Sequence, residues 1–247
     1  MAGENTGIGA KASLSNAPRG VTGAGFTFRL LAGLVWTATA TLWSADAPAK
    51  PATGAAPPAH RTEAHTMVFF GDSLTAGYGL ENPGAEAYPA VIQKKIDAAH
   101  LPWRVVNAGL SGETSSGGLR RLDWVLRTPP DAFVLALGAN DGLRGIEPAV
   151  TRANLTRIIA RVREMNPRVV ILLAGMQMPP NLGPDYTRDF ATLFPEIAKQ
   201  NHATLVPFLL EGVGGQPELN QADGLHPTAE GHRRVAETVW SHLLPLL

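Results

Sequence analysis

The sequence predicts an α/β domain built on a parallel sheet with helices over both faces. Two observations carry this. Short apolar runs alternate with longer stretches whose apolar residues recur at helical spacing, which is the order of strand–helix–strand units. The short runs are also continuous in their apolar character, as strands are when both faces of their sheet are buried. In such sheets, ligand sites gather beyond the carboxyl ends of the strands.

Met67–Phe70 is the first strand and meets Gly71. Val91, Ile92 and Ile96 mark a helical face within Ala87–Ala99. Trp103–Val106 is the second strand, and Leu119, Leu122, Val125 and Leu126 give the next helix. Ala132–Leu137 is the third strand, followed by a helix on Leu155, Ile158, Ile159 and Val162. Val169–Leu173 is the fourth, Phe190–Ala198 is helical, and Thr204–Phe208 is the fifth. Ala229–Leu244 is a closing helix, on which His232 and His242 are expected at the surface.

The 247 residues, 45% of them hydrophobic, suffice for one sizeable core and do not require two. Lys+Arg and Asp+Glu are equal at 21 each. That balance argues against a nucleic-acid partner, which calls for a basic excess. With no cysteine there is no disulfide, no thiolate nucleophile and no cysteine-ligated zinc. No His/Asp/Glu cluster has metal-ligand spacing, so neither a metal nor another cofactor is expected.

Leu30–Trp43 is an uncharged, mostly apolar run with Arg29 before it and Ala45-Asp46-Ala47 after it. This is the pattern of a secretory signal peptide over residues 1–47 and implies a periplasmic or secreted protein. The run is short for a membrane span, though an uncleaved N-terminal anchor is the alternative. The leader ahead of Arg29 is long, which also leaves room for a start further along the chain. Residues 48–66 are rich in Ala and Pro without apolar periodicity and read as a linker. The folded domain is then 67–247.

Four polar clusters remain. Gly71-Asp72-Ser73-Leu74-Thr75-Ala76-Gly77-Tyr78-Gly79 follows the first strand. Asn107 to Thr114, which includes Ser111-Gly112-Glu113, follows the second, and Gly138-Ala139-Asn140-Asp141-Gly142-Leu143-Arg144-Gly145 the third. Asp223-Gly224-Leu225-His226-Pro227 precedes the last helix. Acyl transfer requires a hydroxyl, an imidazole to take its proton, a carboxylate to orient that imidazole, and fixed donors for an oxyanion. The chain offers Ser73, His226, Asp223, and the donors Ser73 N–H, Gly112 N–H and the Asn140 amide. Each residue taken singly has a plainer reading. Ser73 suits a helix N-cap, Asn140-Asp141 a turn or cap, Gly112 a positive φ, and the Asp-x-x-His pair a solvated loop.

In order and spacing the four clusters resemble the signature blocks of the GDSL or SGNH hydrolases. The resemblance covers roughly Thr66 to Leu247. Ser73 matches the family's nucleophile, Gly112 and Asn140 its oxyanion residues, and Asp223 and His226 its Asp-x-x-His block. The blocks are most similar to the bacterial thioesterase I, lysophospholipase and arylesterase group, which is exported to the periplasm. The resemblance implies a flavodoxin-like three-layer α/β/α sandwich with a five-stranded, mostly parallel sheet. It implies a serine esterase acting on small-molecule acyl esters, and on thioesters or lysophospholipids, through an acyl-enzyme. It also places the loop Gly175–Gly183, with Met176, Met178 and Pro179, and Leu143 beside an acyl channel; an ordinary surface loop is the other reading. There is no Gly-x-Ser-x-Gly elbow, since Gly109-Leu110-Ser111-Gly112 runs into Glu113, so an ordinary α/β-hydrolase is excluded. Two alternatives stay open. A carbohydrate acetylesterase would use the same triad, and a non-catalytic binding protein on this fold would not need the full residue set. No obligatory protein partner is expected, and a monomer is the default.

Overall fold

The computed structural model describes residues 64–247. The expected signal segment and most of the expected linker lie outside the described residues. Five strands form one parallel sheet: β1 (His65–Gly71), β2 (Trp103–Gly109), β3 (Ala132–Ala136), β4 (Val170–Ala174) and β5 (Thr204–Val206). Their order is β2-β1-β3-β4-β5. The chain steps outward from β1 to β2, returns past β1 to β3, and then runs on through β4 to β5. With the right-handed crossovers that parallel strands take, this order puts α3 (Tyr88–Ala98) on one face of the sheet. It puts α4 (Ser115–Val125), α6 (Pro148–Met165) and α7 (Pro184–Gln200) on the other. The last helix, α8 (Ala229–Leu243), packs against α3, while α6 touches both α4 and α7. The result is the expected three-layer α/β/α sandwich. The direction in which successive strands are added reverses at β1 and β3, where this strand order opens a crevice at the carboxyl ends.

The core follows from the apolar runs. Met67–Phe70 on β1 and the whole of β3 are buried, together with Leu155, Ile158, Ile159 and Val162 of α6. The differences from expectation have local causes. Strand β1 begins at His65, so the last two residues expected as linker belong to the sheet. Pairing with β2 carries them, His65 opposite Trp103 and Thr66 opposite Arg104; His65 N–H donates to Pro102 O at 2.8 Å, and the Asp131 side chain accepts from Thr66 N–H at 2.8 Å. Strand β2 lies at the edge and is only half-buried. Gln93 of α3 covers part of that edge, accepting from Val105 N–H at 2.6 Å and donating to Trp103 O at 3.2 Å. An outward-facing strand amide is thereby withheld from other chains. Strand β5 stops at Val206 because Pro207 has no N–H to continue the ladder. Helix α7 starts six residues before Phe190, at Pro184 in its first turn, where proline's fixed φ suits a helix start. The intervening charged residues hide that turn from an apolar pattern.

Candidate active site

Ser73 stands where buried β1 gives way to α1 (Ser73–Ala76), which the short α2 (Pro83–Glu86) separates from α3. Asp72, not Ser73, caps α1: its Oδ1 accepts from Leu74 N–H at 3.0 Å. The Ser73 hydroxyl is therefore not used for capping, and its N–H is one of the first-turn donors that a helix leaves unpaired.

Residues 220–227 form a hairpin-like loop ahead of α8. Asn220 bridges to Pro227, Gln221 N–H donates to His226 O at 2.7 Å, and Gly224 N–H to Gln221 O at 2.9 Å. At its tip Asp223 Oδ1 accepts from Leu225 N–H at 2.9 Å and His226 N–H at 3.0 Å. The other oxygen lies 2.7 Å from His226 Nδ1. The His226 bond first, and these backbone donors next, push the Asp223 carboxyl down to about 2. An ionised carboxylate only accepts, so the proton sits on Nδ1 and the Nε2 lone pair is left open. Nε2 lies 2.8 Å from Ser73 Oγ.

Gly112 follows β2 in a tight turn and adopts φ +76°, a conformation in which a Cβ would be strained. The Asn140 amide, on α5 (Ala139–Leu143), donates to Glu113 O at 3.1 Å, and Arg144 donates to Gly112 O at 2.9 Å. Two bonds thus join the Gly112 turn to the Asn140 segment. Beneath them Asp141 is fully buried. It accepts from Ser115 N–H at 2.7 Å, from the Ser115 hydroxyl, and from Thr151 Oγ1 at 3.1 Å. A second brace is the Glu113–Arg121 ion pair, whose guanidinium also donates to Ala108 O at 2.7 Å at the end of β2. The guanidinium lies 4.2 Å over the Phe70 ring.

Ser73, Asn140 and His226 open onto one cleft of about 560 Å³. The structure places Leu143, Met176, Met178 and Pro179 on its wall. Gly112 and Asp223 do not line it, and Asp223 is held against the Nδ1 side of the His226 ring. Sequence reasoning missed Phe208, Leu210 and Leu225, which complete the apolar wall. The available signal was only that Phe208 and Leu210 follow a strand's carboxyl end. It also missed the Tyr78 ring, whose centroid lies 4.7 Å from that of His226.

His232 of α8 is 1% exposed rather than at the surface. Its Nδ1 accepts from Tyr88 N–H at 3.3 Å, and its Nε2 has no partner among the described residues. Burial pushes it down to about 4, whereas burial pushes Asp72 up to about 7. The two act on stability with opposite signs. As pH falls from 6.5 to about 4 the unfolded chain protonates His232 and the folded one does not, so stability is lost. As pH rises from 3.8 to about 7 the unfolded chain ionises Asp72 and the folded one does not, so stability is again lost. Asp72→Asn keeps an acceptor for Leu74 N–H and removes the second effect alone. The variant's stability relative to the parent should therefore climb with pH between 4 and 7, by roughly 1.4 kcal/mol per unit at most. Urea unfolding at pH 4.5, 5.5 and 6.5 reads this, and parallel curves would refute it.

Comparison with known proteins adds four findings. A model of the GDSL-like lipase/acylhydrolase family matches residues 69–234. The chain is 42% identical to the esterase TesA of Pseudomonas aeruginosa over 185 residues, covering 74% of this chain and 90% of that one. It is 36% identical to a thioesterase 1/protease 1/lysophospholipase L1 of Escherichia coli, covering 74% and 86%. Among solved structures, a crystal structure of TesA superposes with a TM-score of 0.70 at 42% identity, over 74% of this chain and all of that one.

Proposed function

The chain belongs to the GDSL-like lipase/acylhydrolase family and hydrolyses esters, and from that premise we propose that Ser73, His226 and Asp223 carry the reaction on medium-chain acyl groups. The observation that supports this most is the continuous hydrogen-bonded line from Asp223 through His226 to Ser73, at 2.7 and 2.8 Å. Ser73 Oγ attacks the acyl carbonyl carbon while His226 Nε2 takes its proton. Asp223 steadies the imidazolium. Oxygen charge builds towards the N–H groups of Ser73 and Gly112 and the Asn140 amide. The alcohol or thiol leaves with the proton from His226. A water activated by the same nitrogen then attacks the acyl-enzyme, releasing the acid and Ser73.

The cleft wall of Leu143, Met176, Met178, Phe208, Leu210 and Leu225 favours an acyl chain over a polar sugar. Each buried methylene contributes about 0.8 kcal/mol, so two raise kcat/KM roughly tenfold while they still find wall to cover. Thioesters and lysophospholipids share the acyl group and differ only in what leaves. The apolar run Leu30–Trp43 supports export, and cell fractionation of the full chain tests that separately.

The deciding assay is release of p-nitrophenol from acetyl, butyryl and octanoyl esters, with Asn140→Ala beside the parent. The expected profile rises from acetyl to octanoyl, and Asn140→Ala loses on the order of a hundredfold in kcat. An acetyl optimum would favour the acetylesterase. Undiminished kcat in Asn140→Ala would remove that residue from the oxyanion site. A folded parent inert on all three would leave the proposed acyl chemistry without support.

A further inference from the structure

Ser73 and His226 lie 153 residues apart in the chain, on separate loops. One hydrogen bond between two side chains does not hold two loops at a fixed separation. Gln221 spans them. Its Nε2 donates to Tyr78 O at 2.8 Å and to Pro227 O at 3.0 Å, while its backbone N–H donates to His226 O at 2.7 Å. Both side-chain acceptors are carbonyls, so only the nitrogen end of the amide can face them, and the orientation is set by the bonding. The oxygen end rests on Gly79, where an added Cβ would sit 2.1 Å from Oε1. Gly79 is also at φ +74°, so space and backbone conformation both demand glycine there. The Tyr78 ring against His226 is a second contact between the same two segments.

We propose that Gln221 is a positioning residue: it straps the Tyr78–Gly79 turn to the Asp223–His226 hairpin and so sets the distance across which Ser73 gives up its proton. The inference rests on the serine-hydrolase reading above. Gln221 does not line the acyl cleft, so its loss should disturb the proton transfer and not the binding of the acyl chain. A misplacement of about 1 Å in such a constellation costs on the order of a hundredfold in rate.

The test uses the full chain and the variant Gln221→Met, which keeps the length of the side chain and removes both donors. Measured together are kcat and KM on p-nitrophenyl butyrate, the rate at which a fluorophosphonate labels the serine, and the fraction of titratable sites. The expected result is a fall of about tenfold or more in kcat per titrated site, a matching fall in labelling rate, and a KM within about twofold of the parent. A merely structural role would lower the number of titratable sites and leave kcat per site unchanged, and that outcome overturns the proposal. So does a raised KM with kcat preserved. Gln221→Glu, whose carboxylate turns acceptors towards both carbonyls, gives the same reading should Gln221→Met fail to fold. Ser73→Ala in the same assay separates the two levels. If it turns over like the parent, the serine-hydrolase reading fails. If it is inert while Gln221→Met matches the parent, only the strap fails.

Discussion

His226→Ala is expected to lower kcat/KM on p-nitrophenyl butyrate by about 10⁴-fold or more, and adding Ser73→Ala to it should cost little further. The reasoning is geometric. Nε2 is 2.8 Å from Ser73 Oγ, and without it a hydroxyl of ordinary acidity must attack unaided. In the proposed mechanism Ser73 and His226 act as a unit, so removing either removes nearly all of what the pair contributes. What survives comes from the oxyanion donors and from binding, and it is the same residue of activity in all three variants. Steady-state kinetics on the two single variants and the double variant reads this directly. Costs that multiplied across the two sites would show that Ser73 and His226 act independently, which the hydrogen-bonded line between them does not allow.

Asp223→Asn is expected to cost on the order of 10³-fold in kcat with little change in fold stability. The asparagine oxygen still accepts from Leu225 and His226 N–H, so the hairpin tip keeps its shape. Its NH₂ group, however, faces His226 Nδ1 where a carboxylate oxygen stood 2.7 Å away. A donor there drives the imidazole to the tautomer with its proton on Nε2, and the base is then turned away from Ser73. The carboxylate side chain is 40% exposed, so water takes over part of its role in holding the imidazolium, and the loss is smaller than for a fully enclosed partner. Since the Asp223 carboxyl lies near 2, it stays ionised throughout the working pH range, and it does not produce the acid limb of the rate profile. Kinetics beside thermal unfolding checks both halves; an activity loss matched by a loss of folded protein would contradict the tautomer argument.

The elements legible in the sequence were those whose burial is uniform along the chain. Strands β1 and β3 are apolar on both faces because helices cover both, and α6 carries an unbroken stripe from Leu155 to Val162. Helices α1 and α5, four and five residues long, have too few turns to show a period. The edge position of β2 is a property of strand order, which no local pattern reports. The same division holds at the site. Ser73, Gly112, Asn140, Asp223 and His226 each lie in a short local block with a composition of its own. Gln221 and the Tyr78 ring act between loops distant in sequence, and nothing near either residue announces its partner; Glu113 and Arg121 are eight residues apart, but one precedes α4 and the other sits on it, so no short block pairs them. His232 was expected at the surface because a single histidine on a helix carries no sign of which face it occupies; packing of α8 on α3 buries it.

Ser73 is proposed to form the covalent acyl intermediate. The most direct measurement is intact-mass analysis of the full chain after reaction with a fluorophosphonate, followed by peptide mapping, with Ser73→Ala treated in parallel. One adduct per chain on the peptide containing Ser73, and none on the variant, is the expected result. An adduct on another residue, or equal labelling of Ser73→Ala, would contradict it.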